Sequence, residues 1–284
     1  MLKYLLYSPL LLIMALASCD TVDDPLKGDG ISSTIDPGCI AKLADNSNDS
    51  LVHRVLLEEF TGVKCNNCPA ANKEAKRLKD VYGDRLLLLG IHAGSFANTD
   101  PEHPRAFRTS EGTELFYDFG LFGVPIAAID RRDFDPSAGT IGKGVGSWPT
   151  EVQKAMQTPA LAQLTLNEEG FNNARKLSVS GTVEILGNLP SNDLYLSLYL
   201  AENGIISPQT MADKSVDPDY EHNHVFRGAF NSTYGSPLDL SQDTIPFQYS
   251  MTLDSAIVKE NCEVIAFIYN RDNYQILESF SIKI

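Results

Sequence analysis

The sequence has little positive charge. Its 23 lysine and arginine residues stand against 37 aspartate and glutamate residues, and the formal net charge is −14. A surface this acidic repels the phosphate backbone of nucleic acids. We therefore expect no nucleic-acid partner.

Several common functional motifs are missing as well. The sequence contains no phosphate-binding loop, no GxSxG nucleophile motif and no dinucleotide-binding glycine pattern. It has a single CxxC pair, whereas a structural zinc site needs four ligands at suitable spacings. These absences predict a protein without a cofactor or a bound metal, and they leave cysteine chemistry as the main candidate.

A long apolar run occurs at the N-terminus. Residues 5–16 are mostly apolar, follow Lys3 and lead into Leu16-Ala17-Ser18-Cys19. A run of about a dozen residues is too short to span a bilayer and is typical of a signal peptide. The Leu-Ala-Ser-Cys string resembles the bacterial lipobox, which implies removal of residues 1–18 and acylation of Cys19. An ordinary secretory signal is the alternative.

Residues 19–50 predict a lipidated N-terminus followed by a tether. The segment is polar and rich in turn-forming residues, with almost no apolar periodicity. Its acidic residues Asp20, Asp23 and Asp24 lie directly behind Cys19. They look like the acidic stretch of surface-exposed lipoproteins of the Bacteroidetes, which implies a lipid-anchored outer-membrane protein at the cell surface. A plain solvated linker is the alternative.

The mature chain changes its pattern near residue 159. Residues 51–158 alternate between apolar strands and helices, which predicts an α/β domain. Residues 159–284 contain strand patterns separated by turn residues, which predicts an all-β sandwich of immunoglobulin type. The expected helices are 70–81, 104–117 and 151–157. The expected strands are 52–60, 85–92 and 126–129, then 161–166, 177–186, 194–201, 225–230, 247–253, 263–269 and 276–282.

Cys65 and Cys68 carry the strongest chemical signal. The pair follows a strand and opens a helix, where Pro69 fits because the first turn needs no N–H donor. A helix N-terminus lowers the pKa of an exposed thiol there, and Lys64 adds a positive charge. The thiolate is the nucleophile of disulfide exchange, and a second thiol one turn away resolves the mixed disulfide. A structural disulfide and a metal half-site are the alternatives.

The stretch around this pair resembles the thioredoxin fold. In Val-Leu-Leu-Glu-Glu-Phe-Thr-Gly-Val-Lys-Cys, residues 55–65, an acid followed by Phe60 lies six residues before the first cysteine. The resemblance implies that Glu59 is buried and takes the proton from Cys68. Strand alternation puts only one of Glu58 and Glu59 inside, so an inward Glu58 is the alternative.

Val124-Pro125 resembles the cis-proline of the same fold. The resemblance implies that Pro125 lies against the cysteine pair and holds an extended substrate chain, whereas a trans turn proline is the alternative. The sequence also departs from the thioredoxin pattern. Asn66-Asn67 separates the cysteines where thioredoxins carry Gly-Pro. The resemblance therefore does not predict the redox potential of the cysteine pair.

A broader resemblance covers nearly the whole chain. The strings Glu-Glu-Phe-Thr-Gly-x-x-Cys-x-x-Cys-Pro at 58–69, Phe-Gly-Val-Pro at 122–125 and His-Asn-His-Val-Phe-Arg at 222–227 are similar to the family named after a 28-kilodalton outer-membrane protein of the Bacteroidetes. The resemblance implies a surface lipoprotein with a thioredoxin-like domain followed by a β-sandwich. It implies little about biochemical activity.

Two cysteines and two histidines complete the candidates. With Cys19 acylated and the CxxC pair joined, Cys39 and Cys262 are left to form a second disulfide or to stay as two buried thiols. His222 and His224 share one side if they lie on a strand, which suits a metal site or a polar contact. Two half-exposed strand histidines are the plainer interpretation.

Two functional hypotheses follow. In the first, the protein exchanges disulfides with an extracytoplasmic protein or peptide: Cys65 attacks, Cys68 resolves, Glu59 moves the proton and Pro125 docks the partner. In the second, it is a non-catalytic binding or adhesion protein of the cell surface, and the disulfide is structural. Metal handling by the two histidines is a weaker third hypothesis.

Overall fold

Strands dominate the structure. The computed structural model describes residues 52–133 and 140–284. The predicted signal peptide 1–18, the acylated Cys19, the tether 19–50 and Cys39 lie outside the described residues. Among the described residues, no helix has both the length and the apolar character needed to cross a membrane.

The α-helices are short and lie in the first half of the described chain. They are α1 (Cys68–Tyr82), α2 (Ser110–Asp118) and α3 (Trp148–Ala155). The predicted helix at 104–117 begins later, at Ser110, because the Thr109 side chain accepts from the Gly112 N–H (2.9 Å) and caps the helix there.

The long strands lie close to their predicted positions. They are β1 (Val55–Thr61), β2 (Leu86–His92), β3 (Ile126–Ile129), β4 (Ala162–Phe171), β5 (Lys176–Ile185), β6 (Leu194–Glu202), β11 (Val225–Ala229), β13 (Thr244–Thr252), β14 (Cys262–Asn270) and β15 (Ile276–Lys283). Two-residue strands lie between them: β7 (Ile205–Ile206), β8 (Gln209–Thr210), β9 (Val216–Asp217), β10 (Glu221–His222) and β12 (Ser236–Pro237).

One large sheet joins the two halves of the chain. Its strand order is β15-β14-β6-β11-β2-β1-β3, and β12 also pairs with β6. At the junction, β11 pairs in parallel with β2 through Val225 and Gly90. A separate three-stranded sheet has the order β13-β5-β4.

The expected α/β thioredoxin-like domain followed by an immunoglobulin-like sandwich is therefore wrong. Strands from both sides of residue 159 build the same sheet, and most of the strands expected for the sandwich continue the sheet that begins with β1, β2 and β3. The physical reason is the free edge of β2, which exposes unpaired backbone groups until β11 covers it. Periodicity identifies strands but does not say which strands pair.

The three largest apolar clusters of the described residues hold these layers together. One lies between α1, α3 and the face of β1–β3, and includes the fully buried Trp148. A second joins α2 to the other face of the large sheet. The third fills the space between the large and the three-stranded sheets. Because both faces of β1 are covered, all seven of its residues are buried.

A buried polar cluster ties the start of β1 to the last strand. The ring nitrogens of His53 contact Asp130 (2.7 Å) and Glu278 (3.2 Å), and the Leu56 N–H donates to Asp130 (2.9 Å). Burial on its own lowers the pKa of His53, but the Asp130 and Glu278 carboxylates outweigh it and raise the pKa to about 10. His53 is therefore a buried imidazolium paired with acids from two other parts of the sheet.

Candidate functional site

Cys65 and Cys68 form a disulfide at the first turn of α1. The loop after β1 positions them: the Cys65 N–H donates to the Gly62 carbonyl (3.0 Å), and the Cys68 N–H donates to the Cys65 carbonyl (3.2 Å). A side chain at Gly62 would place its Cβ 2.6 Å from the Phe96 backbone, so glycine allows this close approach. Cys65 is 3% exposed and Cys68 is fully buried.

Pro125 lies at the same end of the sheet. The Val124–Pro125 peptide bond is cis, as the sequence predicts. Ile126, the next residue, pairs with Phe60 near the end of β1 from which the cysteine loop leaves. The topology therefore brings Pro125 and the cysteine loop to one edge of the sheet.

Glu59 is buried behind the cysteine helix. Burial raises the pKa of its carboxyl to about 8. The Asn72 amide, with its nitrogen toward Glu59, donates to both carboxyl oxygens (2.6 and 3.0 Å) and to the Cys68 carbonyl (3.2 Å). Its oxygen then accepts from the Tyr220 hydroxyl (3.0 Å). The Asn72 side chain thus links Glu59 to the backbone of Cys68. With a pKa of about 8, the Glu59 carboxyl is mostly protonated at neutral pH.

Glu58 is buried as well, so the expectation that alternation leaves only one of the two acids inside is wrong. β1 is covered on both faces, and each face receives one of them. Glu58 accepts two hydrogen bonds from the Arg131 guanidinium (2.6 and 2.7 Å), and both side chains are fully buried. The Arg131 guanidinium also lies over the rings of Phe267 and Phe119 (4.8 and 5.0 Å from their centroids). Glu58 therefore has a fixed structural partner.

A segment that sequence reasoning missed covers the cysteine loop. We call residues 209–217, which contain β8 and β9, the cover hairpin. The Gln209 side-chain amide donates to the Cys65 carbonyl (3.0 Å), and the Thr210 N–H donates to the Val63 carbonyl (2.9 Å). These contacts join positions more than 140 residues apart in the chain. They help to explain why Cys65 is nearly buried.

His103 holds the cover hairpin from its other side. One ring nitrogen lies 3.0 Å from the Thr210 hydroxyl, and the other lies 3.0 Å from the Asp100 carboxylate. Asp100 also pairs with Lys64 of the cysteine loop (3.3 Å). Hydrogen bonds from His103 lower the pKa of Asp100 to about 2. The chain of contacts from Lys64 to Thr210 links the loop and the hairpin.

His222 and His224 do not share a strand face. β10 ends at His222, whose Nε2 donates to the Ser207 carbonyl (3.1 Å), and His224 lies in a turn with φ of 55°. Burial lowers the pKa of each imidazole to about 4. Within residues 52–133 and 140–284, no group of three or more histidine, cysteine, aspartate and glutamate residues is placed to hold a metal ion.

Cys262 is buried at the start of β14. Its thiol donates to the Val258 carbonyl (3.3 Å), and burial raises its pKa to about 12. The predicted Cys39–Cys262 disulfide remains a prediction, because Cys39 lies outside the described residues.

Aromatic side chains are exposed beside the cis-proline. Phe122 is 94% exposed, Tyr117 63% and Phe96 44%. They border a cavity of about 230 Å³ that also reaches Val124. An exposed apolar group of this kind is typical of a surface that contacts another molecule.

Comparison with known proteins gives a family match. A family model described as outer membrane protein Omp28 matches residues 113–284, which is more than half of the chain and begins after the CxxC segment. Among proteins with curated annotation, none matches significantly.

Solved structures resemble this chain at low sequence identity. HBP35 of Porphyromonas gingivalis matches with a TM-score of 0.65 and 19% identity, over 83% of this chain and 76% of that chain. A domain of the outer membrane lipoprotein Omp28 from the same organism has 22% identity over 44% of this chain and 88% of that chain, with a TM-score of 0.32. The first match shows a shared fold.

Proposed function

Because the chain belongs to the Omp28 family of outer-membrane proteins, we propose that it is a lipid-anchored thiol–disulfide exchange protein at the outer surface of that membrane. The observation that carries the chemistry is the Cys65–Cys68 disulfide at the start of α1, with the protonated Glu59 buried behind it. The lipobox-like string before Cys19 supports the anchor.

The exchange begins from the disulfide. A thiolate of the partner protein attacks the Cys65 sulfur, the Cys65–Cys68 bond breaks, and Cys68 leaves as a thiolate. The positive end of the helix dipole stabilises that thiolate, and Glu59 supplies a proton to it. A second thiolate of the partner then attacks the partner's sulfur atom of the mixed disulfide. A disulfide forms within the partner, and Cys65 leaves as a thiolate. The partner gains a disulfide, and the protein is left with two thiols.

Trapping of the mixed disulfide tests this mechanism. The second step run in reverse is an attack of the Cys65 thiolate on a disulfide of the partner. In Cys68→Ser, the lone Cys65 thiol should therefore form a stable mixed disulfide with a disulfide-bonded substrate such as insulin, because the resolving thiol is missing. The matched variant Cys65→Ser leaves the fully buried Cys68 and should form little adduct. Equal trapping by both variants, or by neither, would contradict the assignment of Cys65 as the cysteine that forms the mixed disulfide.

The anchor has its own test. Cys19→Ala should release the protein from membranes, because the acylated residue is removed. If Cys19→Ala stays membrane-bound and acylated, the assignment of Cys19 as the acylated residue is wrong, whereas the proposed thiol chemistry is unaffected.

The second candidate is a non-catalytic binding protein of the cell surface with a structural disulfide. It is favoured by the 3% exposure of Cys65 under the cover hairpin, since a disulfide in steady exchange must be accessible. It predicts no trapped adduct in Cys68→Ser.

A further inference from the structure

A cavity of about 290 Å³ lies between α1, one face of β1 and β2, and residues 220–224. This volume is near the lower end of the roughly 300–1,000 Å³ of ligand pockets, so it suits one small molecule and not a peptide. Leu57 and Leu88 give it apolar walls, and the Glu59 carboxyl forms part of its lining.

Gly90 leaves room for an occupant. It lies on β2 at the cavity, where a Cβ would meet the His224 and Asn223 carbonyl oxygens at 3.5 and 3.6 Å, which are ordinary contact distances. Packing therefore does not require glycine at this position. A larger side chain here would occupy the cavity.

Two imidazoles of the lining have an unused nitrogen. The Nδ1 atoms of His92 and His224 are buried and have no hydrogen-bond partner within the described part of the chain. Burial lowers the pKa of His92 well below its usual value and that of His224 to about 4, so both rings are neutral at pH 7. A neutral imidazole nitrogen donates or accepts one hydrogen bond, according to its tautomer. Both nitrogens are therefore available to a polar group in the cavity.

The mouth of the cavity is cationic, although the chain as a whole is acidic. Lys73, Lys76 and Lys79 of α1 border it, against Asp80 and Glu221. Lys76 pairs with Asp80 (3.0 Å), and Lys79 donates to a backbone carbonyl (2.9 Å) and lies 3.9 Å from the Asp84 carboxylate. The exposed Lys73 has no ion-pair or hydrogen-bond partner among residues 52–133 and 140–284, which leaves a positive charge for a ligand.

We propose that this cavity binds a small organic carboxylate with a short apolar body. The carboxylate lies at the lysine mouth, the apolar part packs against Leu57 and Leu88, and a hydroxyl group at the inner end of the ligand meets an imidazole nitrogen of His92 or His224. This binding does not depend on thiol exchange, so it stands even if the disulfide proves structural.

Titration of the oxidised mature protein with 3-(4-hydroxyphenyl)propionate, followed by NMR at a pH of about 6.5, tests the proposal. A probe of this size should bind with a dissociation constant on the order of millimolar. The neutral 3-(4-hydroxyphenyl)propionamide and the cationic 4-(2-aminoethyl)phenol have nearly the same body, and each should bind more weakly, by a factor on the order of five or more. Lys73→Gln should weaken the binding of the anion and leave that of the amide unchanged.

Gly90→Val fills the cavity and should abolish binding, and Gly187→Val, at a glycine with open space around it, should have no effect. If Gly90→Val does not fold, Gly90→Ala takes its place. Its Cβ makes ordinary contacts and fills less of the cavity, so it should weaken binding. Absence of saturable binding at about ten millimolar, equal binding of the three probes, or unchanged binding in Gly90→Ala and Gly90→Val would overturn the proposal.

Discussion

Glu58 and Glu59 are consecutive residues of one strand, both are buried, and their carboxyl groups have opposite surroundings. Glu58 is held by the Arg131 guanidinium at 2.6 and 2.7 Å, whereas Glu59 contacts the neutral amide of Asn72. The first acid is therefore a paired carboxylate with a structural role. The second is a protonated acid next to the cysteine helix, and this difference leads to separate predictions for the two positions.

Glu59→Gln should slow the opening of the Cys65–Cys68 disulfide. In the wild type, the pKa of Glu59 is about 8, so below this pH the acid is protonated and supplies a proton to the leaving Cys68 thiolate. The rate constant for reduction, calculated from the concentration of the dithiothreitol thiolate, should therefore fall as the pH rises through about 8. In Glu59→Gln it should be about tenfold lower at neutral pH and independent of pH in this range. Stopped-flow measurement checks both, with the exposed Glu184→Gln as control.

An unchanged pH profile in Glu59→Gln would show that another group supplies the proton. In that case the assignment of Glu59 is wrong, whereas the assignment of the two cysteines is not.

Glu58→Gln should destabilise the fold strongly. It leaves the Arg131 guanidinium buried without its counter-charge, and breaking such a pair costs about 3–5 kcal/mol. The double variant Glu58→Leu with Arg131→Met removes both charges and should be more stable than Glu58→Gln. Urea denaturation measures the free energy of unfolding, and Glu184→Gln should lie within about 0.5 kcal/mol of the wild type. A double variant less stable than the single one would show that Arg131 stabilises the core mainly through its aromatic contacts.

The His53 cluster predicts a loss of stability in alkaline solution. The pKa of His53 is about 10 in the folded protein and near 6.5 in the unfolded chain. Its stabilising effect is therefore complete below pH 6.5 and is lost as the pH rises through 10. The window between pH 8 and 9 isolates His53. Glu59 contributes its own decrease only up to its folded pKa of about 8, and the Cys262 thiol, whose pKa rises from 9 to about 12 on folding, contributes one only above pH 9.

Urea denaturation at several pH values checks this contribution of protonated His53 to stability. The wild-type free energy of unfolding should fall between pH 8 and 9, and His53→Gln should be less stable at neutral pH, with a free energy of unfolding that is nearly constant in that window. A wild type and a variant with parallel slopes would contradict the charged state of His53.

The cover hairpin predicts a gain of reactivity on mutation. Gln209→Ala removes the hydrogen bond to the Cys65 carbonyl, so the hairpin should open more often and dithiothreitol should reduce the disulfide several-fold faster. The exposed Gln248→Ala is the matched control, and mass spectrometry after alkylation measures the reduced fraction. An equal rate in both variants would mean that the hairpin does not limit access to Cys65.

Local features were predictable from the sequence to a large degree. Apolar runs placed β1, β2, β3 and the long later strands, and Pro69 marked the first turn of α1. The motif resemblance to the 28-kilodalton family is confirmed by the family match, although that match begins after the CxxC segment. The cis peptide at Pro125 is confirmed as well.

Features set by distant contacts were not predictable. The pairing of Val225 with Gly90 merges the two expected domains into one sheet, and periodicity carries no information about such a partner. The cover hairpin could not be predicted for the same reason, because Gln209 contacts a cysteine loop that is distant in the sequence. It also hid Arg131 as the partner of Glu58, and two-sided burial of β1 made the alternation rule fail for Glu58 and Glu59.

The reduction potential of Cys65–Cys68 tests the central claim most directly. Equilibration of the purified protein with dithiothreitol or glutathione buffers, followed by alkylation and mass spectrometry, gives the fraction reduced at each potential. Thiol–disulfide exchange predicts reversible reduction at about −120 to −270 mV, the range of proteins that perform this chemistry. A bond that stays oxidised until the potential falls below about −300 mV would identify a structural disulfide and contradict the account.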